Sequence, residues 1–407
     1  MKRKRLRMAM VLTTVCWACL PAMAEPSVSR VTVRQRWPWS PLVDIDYVLV
    51  AEAGQTFDIA VQAYNGDTPL SIPPDSLSGD LYSVSKGTGH LVWNPMTTPY
   101  TNRGDLAAFH VKLTPTPVPL YMVVDLRLDY GEEGQVEYIY PGDARLETHG
   151  YWTNVWFGVT NDAVYTSDKL VLRRVRAGSY KAGYSVPPTI AVTISQDFYV
   201  GVFSLTVGQY NRITESSVAG TAALPRGLIS YATIRGSTND DPVVNWPVTK
   251  SYVNPTSFLG VVRAKTRFAD FDLPTCAQRE YFCRAGTTSY YNDGDSTSFS
   301  TNILDRLAWW DHNAGGQLRP VGLLEANHWG LYDTLGNVYE WCLNWDSGQT
   351  PLGGVDPKGP DWGDKRMLMV LNRAGNVNAY QPSRSYAMAP TNAATASASF
   401  RLIRTLR

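Results

Sequence analysis

The segment GLYDTLGNVYEWC, residues 330–342, decides how the rest of the chain is read. Two carboxylates, Asp333 and Glu340, flank a turn carrying Gly336, and an aromatic run closes on Cys342. Glycine at 330 and 336 lets the backbone turn where a Cβ would clash, so carbonyl oxygens between the acids can aim at a common point. Calcium takes roughly six to eight oxygens from carboxylates and main-chain carbonyls, so these residue types suit a hard cation. The competing reading is a polar turn above an aromatic core. The spacing is not that of an EF-hand loop.

Outward from this segment, composition bounds the possibilities. Residues 1–24 carry Lys2, Arg3, Lys4, Arg5 and Arg7, then an apolar stretch at 8–20, then Ala22-Met23-Ala24, the layout of a secretory signal peptide. That stretch falls short of the roughly 20 apolar residues that span a bilayer, and no later run is long enough. Removing the leader leaves 32 of 37 basic residues against 36 acidic ones. The basic residues are scattered, with no stripe interleaved by stacking aromatics, which excludes a nucleic-acid footprint. Of five cysteines, Cys276, Cys283 and Cys342 survive in the mature chain, an odd count that leaves at least one thiol unpaired or bonded elsewhere. The localisation expected is exported: periplasmic, extracellular or cell surface.

Residues 25–140 read as a β-sandwich-like domain. Val43, Ile45, Tyr47 and Leu49 alternate with Asp44, Asp46, Val48 and Val50, and Phe57, Ile59, Val61 and Ala63 alternate likewise. Further runs at 106–113, 120–128 and 135–140 are punctuated by Pro and Gly. Arg103-Gly104-Asp105 is read as an ordinary turn, and Trp37-Pro38-Trp39 as core or domain interface rather than a sugar-stacking patch. Residues 141–168 lose clean alternation and are read as a linker.

After Lys169 the texture changes to short strands, a few helices and long loops. Thr275 and Gln278 have capping-box spacing and Gly286 is placed to end a helix of about three turns. Glu280 and Arg284 are spaced to pair along its surface. Cys276 and Cys283 share a face but sit about 10 Å apart along the axis, beyond disulfide reach. Each is a buried small apolar residue or a partner for Cys342. Thr206 and Gln209 repeat the capping box after an apolar strand at 198–203.

These pieces, in this order, resemble the sulfatase-modifying factor family, whose founding member is the formylglycine-generating enzyme. The resemblance covers residues 169–407. It rests on AGSYKAG at 177–183, on Leu205-Thr206 and Gln209-Tyr210, on the Leu273-Pro274-Thr275 helix start with Glu280-Tyr281 and Cys283-Arg284-Ala285-Gly286, and on 330–342. Ser399-Phe400-Arg401-Leu402 looks like the family's terminal GFR strand with Ser in place of Gly. The resemblance implies an α+β, loop-rich fold related to C-type lectins at 169–407, preceded by an all-β, immunoglobulin-like sandwich. It also implies a structural calcium held by Asp333, Gly336, Val338 and Glu340, the glycine and valine through their carbonyls.

The family's enzymes oxidise a substrate cysteine with copper held by two cysteines near the C-terminus, since soft sulfur selects Cu(I). No cysteine follows Cys342 in this sequence, so that copper site cannot be built. Cys283 matches a position that can form a structural disulfide in the family, but the usual C-terminal partner is missing. The family's iron-dependent sulfoxide synthases need a His-rich motif, whereas His90, His110, His149, His312 and His328 lie far apart. The expectation is therefore a non-catalytic recognition protein, a pseudoenzyme without copper. Its ligand surface would be the C-terminal loop with Asn376, Asn378, Tyr380, Arg384 and Tyr386, contacting a protein, peptide or glycan. The alternatives are a formylglycine-generating-type oxidoreductase acting on sulfatase cysteines through a redox-active thiol, and a purely structural surface module.

Overall fold

A computed structural model describes residues 25–36, 38–100, 106, 108–236, 253–348, 351–369, 380–392 and 397–406. The leader at 1–24, Trp37 and Arg103-Gly104-Asp105 lie outside the described residues. No helix among those described is long and apolar enough to cross a membrane.

The period-two runs fold as expected. One antiparallel sheet orders Ser27–Gln35, Val43–Val50, Gly87–Trp93 and Leu77–Gly79. A second centres on Thr56–Asn65, which pairs with Thr68–Leu70, Val84–Ser85 and Phe109–Thr116. Val43, Ile45, Tyr47 and Leu49 enter the core with Leu91 and Trp93. The intervening Asp44 and Asp46 face outward to Arg36 and Arg34. Burying one face and charging the other fixes the register, because a one-residue slip would invert every side chain.

The domain boundary differs from the sequence reading. Tyr121–Asp125 and Val136–Ile139 do not belong to the sandwich. They extend an antiparallel sheet of order Val136–Ile139, Tyr121–Asp125, Lys169–Val175, Phe198–Gly201, Ile403–Thr405, Phe271–Asp272. Every residue of Tyr121–Asp125 is buried, as a strand covered on both faces must be, so it shows no alternation that would assign its sheet. The sandwich therefore ends near Thr116. Nor is 141–168 a linker: it holds the hairpin of Glu147–His149 with Trp152–Val155 and the short helix Val164–Ser167, and Trp156 and Val159 are buried.

This six-stranded sheet organises the C-terminal domain. On one face Met122, Val124, Leu170, Leu172 and Tyr199 pack with residues of the helices Val207–Thr214, Tyr231–Arg235 and Phe258–Thr266. On the other, Tyr121, Val123, Val171, Val200 and Ile403 meet Ala277, Tyr281 and Phe282 of the helix Cys276–Arg284. That helix starts at the expected capping box, Thr275 Oγ1 accepting from Gln278 N and Gln278 Oε1 from Thr275 N. It stops where Ala285 and Gly286 turn left-handed, φ 47° and 86°. The expected surface pair is the exception: all nine helix residues are buried. Glu280 accepts from Arg284 and from Gly183 N, and Arg284 donates to Gly183 O.

The two domains meet through ion pairs. Arg174 reaches from the sheet to Asp58 of the sandwich at 2.5 Å and also holds Asp197 at 3.0 Å. Arg267 pairs with Asp75 at 3.0 Å.

Candidate functional site

The 330–342 segment lies at the centre of the C-terminal domain. Tyr339–Trp345 runs antiparallel to Arg366–Met369 and parallel to Ala398–Ser399, while Leu335–Gly336 pairs in parallel with Ala308–Trp309. A side chain at Gly336 is impossible without a shift: its φ is 75° and a Cβ would sit 2.3 Å from the Trp309 carbonyl oxygen. Asn337, at φ 61°, clamps the neighbouring loop, accepting from Arg319 N at 3.1 Å and donating to Arg319 O at 2.9 Å.

Glu340 is fully buried, and both of its oxygens are taken. Oε2 accepts from Arg279 Nε at 2.5 Å; Oε1 accepts from Arg401 Nε at 3.1 Å and from Ser204 Oγ at 2.5 Å. The same guanidiniums collect the carbonyls of the turn. Arg401 Nη2 donates to Tyr332 O and Asp333 O, and Arg279 Nη2 donates to Thr334 O. Gly336 O accepts from Val338 N at 2.8 Å. Burial pushes the Glu340 carboxyl up, but Arg279 and Arg401 outweigh it and hold the group below its ordinary range. Asp333 is buried too, with Oδ2 on Gly322 N at 2.7 Å and Oδ1 without a hydrogen-bond partner. Its burial dominates, raising the carboxyl to about 6 against the weaker pull of Gly322 N–H and Arg401.

Of the groups expected to hold calcium, Glu340 is shared by two guanidiniums and Gly336 O accepts from Val338 N, whereas Asp333 Oδ1 is buried without a partner. Two guanidiniums already supply the positive charge that a cation would bring, and a calcium ion on Glu340 would have to share the carboxylate with both. A buried Arg279–Glu340–Arg401 network closes the turn, joining the helix, the central strand and the C-terminal segment.

The three thiols are buried and free. Cys276 and Cys342 share an apolar cluster with Met367 and Met369, and Cys283 Sγ rests 3.2 Å from Thr334 O. Burial raises the Cys283 thiol and raises that of Cys342 well above its usual range, where contact with Cys276 reinforces the effect. Reactive cysteines need an exposed site with a depressed pKa. None of these three has the exposure.

The expected ligand residues separate. Asn376 and Asn378 lie outside the described residues. Tyr380 is buried, its ring edge-on to Trp310 at 6.0 Å, so it is part of the core rather than a contact surface. Arg384 is exposed and Tyr386 is 51% exposed, its ring stacked on Tyr339 at 5.6 Å. Sequence reading missed Tyr184, which is exposed beside them: its hydroxyl lies 3.3 Å from Ser385 Oγ and its carbonyl accepts from Gln381 Nε2. The only sequence signal for Tyr184 was its place just after the glycine that follows AGSYKA.

Comparisons with known proteins bear on the same part of the chain. The model of the sulfatase-modifying factor enzyme 1-like domain matches residues 159–406. The chain is 28% identical over 219 residues to the chaperone protein LppX of Paenibacillus barcinonensis, a match covering 46% of this chain and 75% of that protein. It is 38% identical over 85 residues to the formylglycine-generating enzyme of Mycobacterium tuberculosis, which covers 19% of this chain and 28% of that enzyme. Among solved structures, Treponema denticola variable protein 1 is similar at 21% identity and a TM-score of 0.47, covering 59% of this chain and 96% of that one. With more than half of its length matched, this chain belongs to the sulfatase-modifying factor enzyme 1-like domain family.

Proposed function

We propose that the protein is an exported, non-catalytic recognition protein that uses the family fold as a scaffold and presents Tyr184, Arg384 and Tyr386 to a protein, peptide or glycan. The observation carrying this reading is the exposed tyrosine and arginine cluster of a chain with no cysteine after Cys342 and with its remaining thiols buried. Tyrosine offers a large rigid face with a polar tip at small entropic loss, and arginine supplies several donors, which is the chemistry of adaptable binding surfaces. The likeness to a chaperone protein fits a partner-binding role.

The test is a glycan and peptide array probed with the wild-type protein and with an Arg384→Ala/Tyr386→Ala double variant. Specific signals that vanish in the double variant, at unchanged thermal stability, support the reading. Signals that persist in the double variant count against this surface, and an array silent for the wild type favours a structural module.

A further inference from the structure

The C-terminal sheet and the sandwich do not close completely on each other. Between them lies a cleft of about 600 Å³, within the range of small-molecule sites, which favour domain boundaries. Its floor is the sheet face bearing Tyr138, Tyr199 and Arg404, and its opposite wall is the sandwich strand Thr56–Asn65, through Ile59 and Val61.

Two features of the floor specify an occupant. The Tyr199 hydroxyl is buried and has no hydrogen-bond partner, a state that native interiors avoid. Burial raises the Tyr199 phenol well above its usual range and pushes Tyr138 up to about 12, so both remain protonated donors at physiological pH. Two of the three charges lining the cleft, by contrast, are spent. Arg404 donates to Asp270 and to the Tyr82 hydroxyl and stacks over Phe268 at 3.9 Å, while Asp58 is held by Arg174. The cleft thus offers flat aromatic faces and phenol donors, and the one lining charge without an ion pair among the described residues is the solvent-facing carboxylate of Glu132.

We propose that this interdomain cleft binds a small uncharged aromatic molecule whose oxygen accepts from the Tyr199 hydroxyl. The inference is independent of the Tyr184–Arg384–Tyr386 surface, which lies elsewhere in the chain's fold.

The test is fluorescence titration of the full-length protein with 2-naphthol, with naphthalene and 1-decanol as comparison probes. Saturable one-to-one binding of 2-naphthol is expected. Tyr199→Phe should weaken it by about 5- to 10-fold, the worth of one hydrogen bond, while leaving naphthalene unaffected. Ala60→Trp, on an exposed strand position lining the cleft, should weaken every aromatic probe by tenfold or more, on the order of the loss from filling such a site. If that variant fails to fold, the isosteric Tyr199→Phe still decides. No saturation by 2-naphthol, equal loss of 2-naphthol and naphthalene on Tyr199→Phe, or 1-decanol binding as tightly as 2-naphthol would overturn the proposal.

Discussion

Replacing Glu340 by Gln probes the network that stands where a cation was expected. Glutamine keeps the shape and one acceptor but turns an amide N–H₂ toward a guanidinium, at a position with no solvent exposure. Arg279 and Arg401 are then left as two buried cations with only Asp333 near them. Breaking a buried ion pair by removing one partner costs about 3–5 kcal/mol, because the remaining charge is uncompensated. For a domain of this size each kcal/mol lowers Tm by roughly 2–4 °C, so a fall of about 6–20 °C is expected in a thermal melt. The exposed Arg306–Glu325 pair is the control: Glu325→Gln should lose no more than ~1 kcal/mol. A Glu340→Gln loss below ~1 kcal/mol, or a wild-type Tm that drops with EGTA and recovers with calcium, would refute the arginine network as the element that closes the turn.

The same residues give a pH signature of two signs. Because Glu340 is held below its ordinary value, its stabilising contribution is complete above the unfolded pKa of about 4.3 and is lost as pH falls through the lower folded value, a loss that urea titrations at pH 3 to 5 would show missing in Glu340→Gln. Asp333 runs oppositely: its folded pKa of about 6 exceeds the unfolded 3.8, so ionising it weakens the fold as pH rises through that window. Asp333→Asn, which suits the left-handed φ of 51°, should equal or exceed wild-type stability at pH 7, and a loss above ~1 kcal/mol there contradicts the assignment. Thr275→Ala removes the cap of a fully buried helix start and should cost about 1–2 kcal/mol in denaturant unfolding; no measurable change would show the cap to be dispensable. Tyr380→Ala should cost about 3–5 kcal/mol as a core truncation, whereas Tyr386→Ala should stay within ~0.5 kcal/mol, and equal losses would place both in one environment.

Much of the fold was legible because local signals and the global structure agree. Alternation at 43–49 and 57–63 reported half-buried strands, and both Thr–Gln capping boxes formed where their spacing put them. Sheet membership was not legible, since Tyr121–Asp125 is buried on both faces and a continuous apolar strand carries no mark of its neighbours. The site was legible only in part. A carboxylate after a glycine turn reads the same whether a cation or an arginine opposes it. The deciding residues, Arg279 and Arg401, each lie 61 positions from Glu340. Arg279 in turn was hidden by the i,i+4 pair Glu280–Arg284, whose spacing suggested a solvent face although spacing says nothing about which way a helix is turned. Tyr184 and Tyr339 escaped notice because a surface patch is assembled from separate loops, and no periodicity links them to Tyr386.

The most direct measurement is incubation of the purified protein with copper, oxygen and a peptide containing CxPxR, followed by mass spectrometry of the peptide. A recognition scaffold with no C-terminal cysteine pair and buried thiols leaves the peptide cysteine intact, with no high-affinity uptake of monovalent copper. Stoichiometric copper binding together with loss of the cysteine sulfur and appearance of an aldehyde would contradict that account.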